Sequence, residues 1–350
     1  DDISFASGLT LSGDIKLDTG SGKGNISFSE SIDGSQALTL KTGTGDAIFM
    51  GAVKELTALT VNAGGTLETV ASVAVSGDVS LTVNDIILGS TLDAGTDDVT
   101  IAGQSGRSMS VGTDTSNDIQ IDNTELSNIT AGSLTLETVN KGIRVAGLMT
   151  TDLSGIDAES GLKLDTGSGA GDISFVSKDS ILGASLTTSS GTGSFVASAG
   201  VATGTGVGLA SGQKLSITAD DFTIGKKLDS GTASTTLSVF STDRNLDLAG
   251  GDQGDGADIS GAELALITAT DLTVETTGSS GAIKTGSGIT DANTENISGT
   301  FKIASGGDLT SSADGISTAG VLSIAAGGSG LERHLVGDHE GGVESDAELA

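Results

Sequence analysis

The stretch KLDTGSGKGNISF occupies residues 16–28 and returns as KLDTGSGAGDISF at residues 163–175. A glycine-rich loop can hold phosphate when its backbone N–H groups converge at the start of a helix. Here Lys23 is followed by glycine instead of serine or threonine, and the second copy has Ala170 in place of the lysine. The following ISF is typical of a strand. The phrase therefore predicts a turn between two strands, in which glycine supplies the positive φ angles.

A finer repeat underlies this phrase. Phe5, Phe28 and Phe49 recur after 23 and 21 positions, and short segments with alternating apolar residues recur in step at 15–17, 38–40, 59–61 and 81–83. A period of 20–23 residues is typical of solenoids. A parallel β-helix also stacks equivalent residues about 4.8 Å apart, which rewards keeping one residue type at one phase. We therefore predict an all-β parallel β-helix, with an array of β-sandwiches as the alternative.

The three phenylalanines give this prediction a direct test. If the assigned phase is right, their rings stack inside the coil with centroids closer than about 8 Å.

A longer repeat of about 140 residues lies above the short one. Residues 123–138 match residues 261–276, and residues 92–96 match residues 228–232. We expect a solenoid over residues 1–328, with about 15 coils and a rod of roughly 70 Å. Residues 329–350 break the pattern and are predicted to be a linker or assembly segment, with a short helix at 344–350.

The open ends of such a solenoid expose strand edges. The chain begins at DDISF, inside a repeat. We therefore expect either a longer parent chain or head-to-tail self-association through the edge at residues 1–5.

The composition limits the classes of partner and of fold. The 350 residues include 55 Gly, 8 Phe and no Pro, Cys, Trp or Tyr, and 36% are hydrophobic, with a mean hydropathy of +0.12. This is too apolar for a disordered chain, yet too poor in aromatics for a large globular core. The net charge of −30 argues against nucleic acid and anionic membrane surfaces as partners. No apolar run approaches the ~20 residues of a membrane-spanning helix.

Several phrases resemble the repeats of filamentous haemagglutinin-like bacterial surface adhesins. They are LTLKTGTGDAIF at 38–49, the segment 56–65 and AELALITATDLTVET at 262–276. The resemblance implies a right-handed parallel β-helix shaft that is secreted or displayed on the bacterial cell surface. It carries over no catalytic residue. The secretion domain of that family is missing from these 350 residues, which leaves the secretion route open.

Acidic turns are the candidate metal sites. Asp252, Asp255 and Asp258 lie in a glycine-rich turn similar to the calcium turns of RTX repeats. Asp114 and Asp118 resemble part of a calcium loop. We favour the simpler interpretation that aspartate and glycine are the residues turns prefer, with calcium binding as the alternative.

A second metal candidate lies near the end of the chain, where His334, Asp338 and His339 include both histidines of the sequence. Their spacing fits no established ligand motif, and a solvated acidic segment is the alternative.

Catalysis is disfavoured because residues 1–328 contain no His, Cys, Tyr or Trp, so a nucleophile has no base with a useful pKa. Paired carboxylates remain, and glycosidases need only two. The sequence thus predicts a non-enzymatic extracellular structural protein, either an adhesin shaft or a self-assembling fibre or surface-layer subunit that contacts a cell surface or polysaccharide. A β-helix polysaccharide-degrading enzyme or tailspike-like protein is the alternative.

Overall fold

The computed structural model describes residues 1–204, 212–250, 256–278, 280–286, 289–311, 316–328 and 331–332. The chain divides into two compact units, Asp1–Asp165 and Thr166–Ala350. Within each unit the strands pair in parallel between successive coils. The predicted all-β parallel β-helix is confirmed.

The first unit contains nineteen strands and one short helix among its described residues. They are β1 Ile3–Phe5, β2 Leu9–Thr10, β3 Ile15–Asp18, β4 Ile26–Phe28, β5 Ile32–Asp33, β6 Ala37–Lys41, β7 Ala47–Phe49, β8 Val53–Leu56, β9 Ala58–Thr69, β10 Val73–Val75, β11 Val79–Leu88, β12 Leu92–Asp93, β13 Asp98–Gly103, β14 Met109–Gly112, β15 Ile119–Ile121, α1 Asn123–Ser127, β16 Ile129–Thr130, β17 Ser133–Glu137, β18 Ile143–Ala146 and β19 Leu162–Asp165.

The second unit repeats the same kinds of element. Its described elements are β20 Ile173–Phe175, β21 Ser180–Ile181, β22 Leu186–Ser189, β23 Ser194–Ala197, β24 Val201–Ala202, β25 Leu215–Ala219, β26 Asp221–Ile224, β27 Leu228–Asp229, β28 Ser234–Val239, β29 Leu246–Leu248, β30 Ala257–Ile259, α2 Gly261–Leu264, β31 Ile267–Thr268, β32 Asp271–Thr276, β33 Ile283–Thr285, α3 Asp291–Thr294, β34 Thr300–Ser305, β35 Leu309–Ser311, β36 Val321–Ala326 and β37 Leu331–Glu332.

Each coil of the first unit crosses three faces, which we name by their strands. The Phe face contains β1, β4, β7, the ends of β9 and β11, and then β15, β14 and β18. The short-strand face contains β2, β5, β8, β10, β12 and β16. The long-strand face contains β3, β6, the starts of β9 and β11, β13, β17 and β19. Apolar side chains alternate inward along most of these strands, as in β6, β13 and β17, which is the pattern of a sheet with one buried face.

The interior of the first unit is a set of columns of like residues. One buried column of the long-strand face contains Leu38, Leu59, Val79, Val99, Leu134 and Leu162. The predicted fourth segment, 81–83, was wrong by two positions, because Leu59 faces Val79 and Leu81 faces Val61. A shift of two keeps every apolar side chain on the inner face, so the alternation alone does not distinguish the two registers.

The phenylalanine prediction is confirmed. Phe5 and Phe28 have ring centroids 5.2 Å apart and Phe28 and Phe49 5.3 Å apart, with nearly parallel rings. In the second unit Phe175 and Phe195 lie 5.9 Å apart at a tilt of 47°. Stacking of this kind adds about 0.5–1.5 kcal/mol per pair beyond the burial of the rings.

The opening phrase is a turn in both copies, as predicted. Residues 19–25 link β3 to β4, and the equivalent segment links β19 to β20. Gly20 and its counterpart Gly167 have φ angles of +80° and +78°. The Thr19 hydroxyl donates to Gly24 O at 2.9 Å, and Thr166 donates to Gly171 O at 2.8 Å. The phrase is therefore a structural corner closed by a threonine.

Many aspartates and asparagines bridge consecutive coils. Asp2 Oδ1 accepts from Asn25 N, Asn25 Oδ1 from Asp46 N, and Asp46 Oδ1 from Thr66 N, each at 2.8 Å. In the second unit Asp172 Oδ1 accepts from Ser194 N at 2.9 Å. Part of the acidic composition thus satisfies backbone donors at the corners, where the strand ladder is interrupted.

The coil length is not uniform. The first five layers of the long-strand face follow the predicted 20–23 residues, but Val99 and Leu134 are 35 positions apart and Thr235 and Leu272 are 37 apart. In the described residues this face has seven layers in the first unit and six in the second. Three further coils span 28 or 29 positions, between Leu134 and Leu162, Leu186 and Leu215, and Leu272 and Phe301. The average coil is therefore longer than predicted.

The predicted end of the solenoid at residue 328 is followed by β37, whose Leu331 and Glu332 pair in register with Leu309 and Thr310. Residues 333–350 lie outside the described part of the chain, and with them His334, Asp338, His339 and the helix expected at 344–350. Among the described residues, no helix has the length and apolar character needed to cross a membrane.

Candidate functional site

The long coil of the first unit departs from the plain stacking order on the Phe face. We call this feature the reversal, because the chain steps back by one layer while its strands stay parallel. After β14 the chain turns through residues 113–118 and forms β15, which pairs in parallel with β14 through Met109 opposite Ile119 and Val111 opposite Ile121. On its other side β14 pairs with β18 of the next coil, and β15 contacts β11 of the preceding coil. The chain has therefore stepped back by one layer, and α1 then leads it to the short-strand face.

The second unit repeats the reversal 137 to 138 positions later. Leu246 of β29 lies opposite Ala257 of β30, and Leu248 lies opposite Ile259. Helix α2 follows β30 directly, as α1 follows β15. The two reversals are the largest departures from a plain solenoid among the described residues, so we treat them as the candidate site.

A glutamate in each short helix ties the reversal to the preceding coil. The side chain of Asp122 caps α1. Glu125 Oε2 accepts a hydrogen bond from Asp122 N at 3.0 Å, and Glu125 Oε1 accepts one from Leu88 N at 3.1 Å. Ser260 and Glu263 form the same capping box at α2, and Glu263 accepts from Ile224 N at 2.8 Å. A capping box satisfies backbone donors at a helix start.

The carboxyl of Glu125 sits in an unfavourable environment for a charge. Burial raises the pKa of Glu125, the bonds from Asp122 N and Leu88 N act in the opposite direction, and the negative charges of Asp122 and Asp85 raise it further.

Two arginines hold the reversal loop of the first unit. Arg107 pairs with Asp118 at 3.3 Å, and Arg144 of the next coil pairs with Asp114 at 3.5 Å. Burial alone would raise the pKa of Asp114, but hydrogen bonds from Ser116 and Ser110 and the charge of Arg144 lower it to about 2. The backbone N–H and hydroxyl of Ser108, with Arg107, also hold the pKa of Asp118 below its usual range.

Arg244 occupies the place of Arg107 in the second unit but binds different groups. Its Nε donates to Asp220 O at 2.6 Å and its Nη2 to Gly256 O at 3.0 Å. The sequence has four arginines, and three of them, Arg107, Arg144 and Arg244, serve the two reversals. Most of the few arginines in this acidic chain thus lie at the reversals.

The calcium candidates belong to these same loops. Asp114 and Asp118 lie in the first reversal, and Asp258 lies in β30 of the second; Asp252 and Asp255 lie outside the described residues. The carboxylates of Asp114 and Asp118 each face an arginine, so a calcium ion there would have to displace a guanidinium. Across the described ranges, no group of three or more acidic or histidine side chains converges as a metal site requires.

A shallow groove of about 540 Å³ lies on the first unit, between Gly95, Gly132 and Ile156. Its one carboxylate is Asp157, which accepts from the backbone N–H groups of Glu159 and Ser160 at 3.0 Å each. These bonds lower the pKa of Asp157. Glycoside hydrolysis needs two carboxylates across the bond to be cut, and this groove supplies one.

Sequence reasoning missed the roles of Glu125, Glu263 and the arginines. The available signal was the pattern Asp-x-x-Glu at 122–125 and Ser-x-x-Glu at 260–263, which is typical of a capped helix start. Both patterns fall at the edge of the matched segments of the long repeat, and Arg107 and Arg244 are also 137 positions apart. Short helices inside a β-repeat were not expected because their flanks are rich in β-formers.

Comparisons of this chain with known protein families, with curated proteins and with solved structures found no match.

Proposed function

We propose that this chain is a non-enzymatic extracellular structural protein, either a β-helix shaft of a bacterial cell-surface adhesin or a subunit of a self-assembling fibre or surface layer. The observation that carries the proposal is the interior, which in the described coils is filled mainly by aliphatic and phenylalanine side chains stacked from coil to coil. Such an interior gives each coil its stability through its neighbours.

The charged groups support the same proposal. The arginines and the acidic side chains of the reversals bind each other or the backbone, and corner aspartates bridge coils. In catalytic sites, by contrast, charged side chains converge on a space that a substrate can enter. The acidic exterior keeps β-rich molecules apart in solution, since like charges repel.

Electron microscopy of the purified chain separates the two structural alternatives. Isolated short rods favour the adhesin shaft, and long fibres favour the self-assembling subunit, in which the edge at residues 1–5 pairs with a neighbouring copy. Resistance to proteolysis is expected in both cases, because parallel strand ladders join successive coils.

Assays on acidic polysaccharides test the enzymatic alternative. Release of reducing ends or unsaturated products by the purified chain would overturn the proposal. A control with Asp157→Asn would show whether such an activity arises in the groove.

A further inference from the structure

On the face that contains the reversal, the strand ladder of each unit is interrupted. In ordinary layers, backbone bonds join neighbours along the whole strand, as between β9 and β11, where nine residue pairs are in register. Within the described residues, β15 has a ladder with β14 and none with β11, although β11 and β15 are in contact. In the second unit β30 has a ladder with β29 and none with β26. We name these two junctions, β11–β15 and β26–β30, the seams.

Side chains replace the missing backbone bonds at the first seam. Leu88 N donates to Glu125 Oε1 at 3.1 Å, and Leu88 O accepts from Asn128 Nδ2 at 3.0 Å. Gln120 N donates to Asp85 Oδ1 at 3.3 Å.

The second seam has the same two kinds of bridge. Ile224 N donates to Glu263 Oε1 at 2.8 Å, and Asp258 N donates to Asp221 Oδ1 at 3.3 Å. The position of Asn128 is Leu266 in this copy, so a side chain without a hydrogen-bond donor stands where the amide stands in the first seam.

The apolar interior continues across both seams. Ile86 and Leu88 on one side of the first seam and Ile119 and Ile121 on the other are all buried. The seams therefore keep the hydrophobic stabilisation of an ordinary layer. Their backbone is joined by hydrogen bonds to long side chains, and ordering those side chains costs conformational entropy that a ladder between two strands does not. Segments with fewer cooperative backbone bonds open at lower free energy than the rest of a structure.

We propose that the two seams are built-in opening points on one side of each unit, at which the backbone opens locally before the ladders of ordinary layers do. The other faces stay joined past the seams, since β11 pairs with β13 and β12 with β16 in the first unit, and β28 pairs with β32 and β27 with β31 in the second. The inference is independent of the proposed function, because the order of opening is a property of the fold.

Native-state hydrogen exchange of the full chain, read by mass spectrometry at peptide level, tests the proposal. We expect residues 85–89 and 117–122 to exchange at least about tenfold faster than residues 58–62 and 79–83, which lie in ordinary layers. Residues 221–225 are expected to follow the behaviour of 85–89. Equal protection of seam and ordinary layers in the unaltered chain would overturn the proposal.

Variants at the two glutamates locate the effect. Glu125→Ala removes the acceptor of Leu88 N and should accelerate exchange of residues 85–89 about five- to tenfold while leaving residues 221–225 unchanged. Glu263→Ala should do the reverse. Glu125→Gln keeps an acceptor and should preserve most of the protection.

Glu137→Ala is the matched control, because Glu137 lies on the long-strand face away from the seam. Uniform acceleration across the first unit in Glu125→Ala, without preference for the seam, would contradict the proposal. If Glu125→Ala does not fold, the comparison within the unaltered chain still decides.

Discussion

The two reversals share one backbone path and reach it with different side chains. In the first unit Asp122 caps the helix, Arg107 meets a carboxylate, and Gly112 takes a φ of +85°. In the second unit Ser260 is the cap and Arg244 binds backbone carbonyls. The equivalent of Gly112 is Ala249, with a φ of +56°.

This comparison shows which features the reversal requires. The glutamate bridge and the arginine recur in both copies, so they are the features that the reversal requires. The identity of the cap and of the groups that the arginine binds can vary. The first copy accumulates negative charge around Glu125, and the second accepts backbone strain at Ala249.

The largest expected difference between the copies lies at the positive-φ position. A Cβ at Gly112 would lie 2.3 Å from Ala146 O, so Gly112→Ala should lower the free energy of unfolding by about 3 kcal/mol. Ala249→Gly relieves the left-handed conformation and should raise the free energy of unfolding by about 0.5–1 kcal/mol, after the entropic cost of glycine.

Urea denaturation followed by circular dichroism measures both of these changes. Gly22→Ala is the control, since a Cβ there meets nothing within 4 Å and its effect should stay within about 0.5 kcal/mol. Changes of the same sign in Gly112→Ala and Ala249→Gly would show that the two turns are not equivalent.

The arginines should differ next. Arg244→Ala leaves two carbonyls without their charged donor and should cost about 1.5–3 kcal/mol. Arg107→Ala removes an ion pair whose two side chains are 40% and 41% exposed, so its cost should stay below about 1 kcal/mol. Thermal and urea unfolding of the two variants under identical salt give the comparison. Equal losses would indicate that the Arg107 pair is more strongly shielded from solvent than its exposure implies.

Acid should act on the first reversal through Asp114. Its folded-state pKa of about 2 lies below the unfolded value of about 3.9. The stabilisation is therefore present above about pH 4 and is lost as the pH falls toward 2. Asp114→Asn should flatten the dependence of stability on pH in that window, as measured by urea unfolding at a series of pH values. Thr115→Ala, in the same loop, should keep the full dependence, and an unchanged slope in Asp114→Asn would assign the acid sensitivity to other carboxyls.

The smallest expected effect concerns the helix cap. Asp122→Asn keeps a capping side chain but removes one of the negative charges that raise the pKa of Glu125. That pKa should move back toward its ordinary value, as measured by a carboxyl-carbon NMR titration. Asp93→Asn, on the short-strand face, is the control. If the pKa of Glu125 does not move in Asp122→Asn, burial and the charge of Asp85 account for its elevation.

The fold was predictable because successive coils place the same residue types at equivalent positions. The phenylalanine spacing and the alternation of apolar residues fixed the parallel stacking and the corner at residues 19–25. The register of β11 was not predictable, because Val79, Leu81 and Val83 all satisfy the same inward alternation and the choice between them depends on the turn that precedes the strand.

The reversals were only partly visible in the sequence. The long repeat and the acidic loops were found, but the loops were weighed only as ordinary turns or calcium turns, and neither interpretation included the arginines. The partners of Asp114 and Asp118 include Arg144, which belongs to the next coil, 30 positions from Asp114. A contact of that kind follows from the stacking of coils and is not encoded in local spacing.

The bridges from corner aspartates and asparagines have a direction. In the series that begins at Asp2, the carboxylate or amide oxygen belongs to the earlier coil and the N–H to the later one. Each coil of this series thus presents side-chain hydrogen-bond acceptors to the segment that follows it in the chain. A polypeptide emerging amino end first from a ribosome or a secretion pore can consequently build such a stack one layer at a time, each layer serving as the template for its successor.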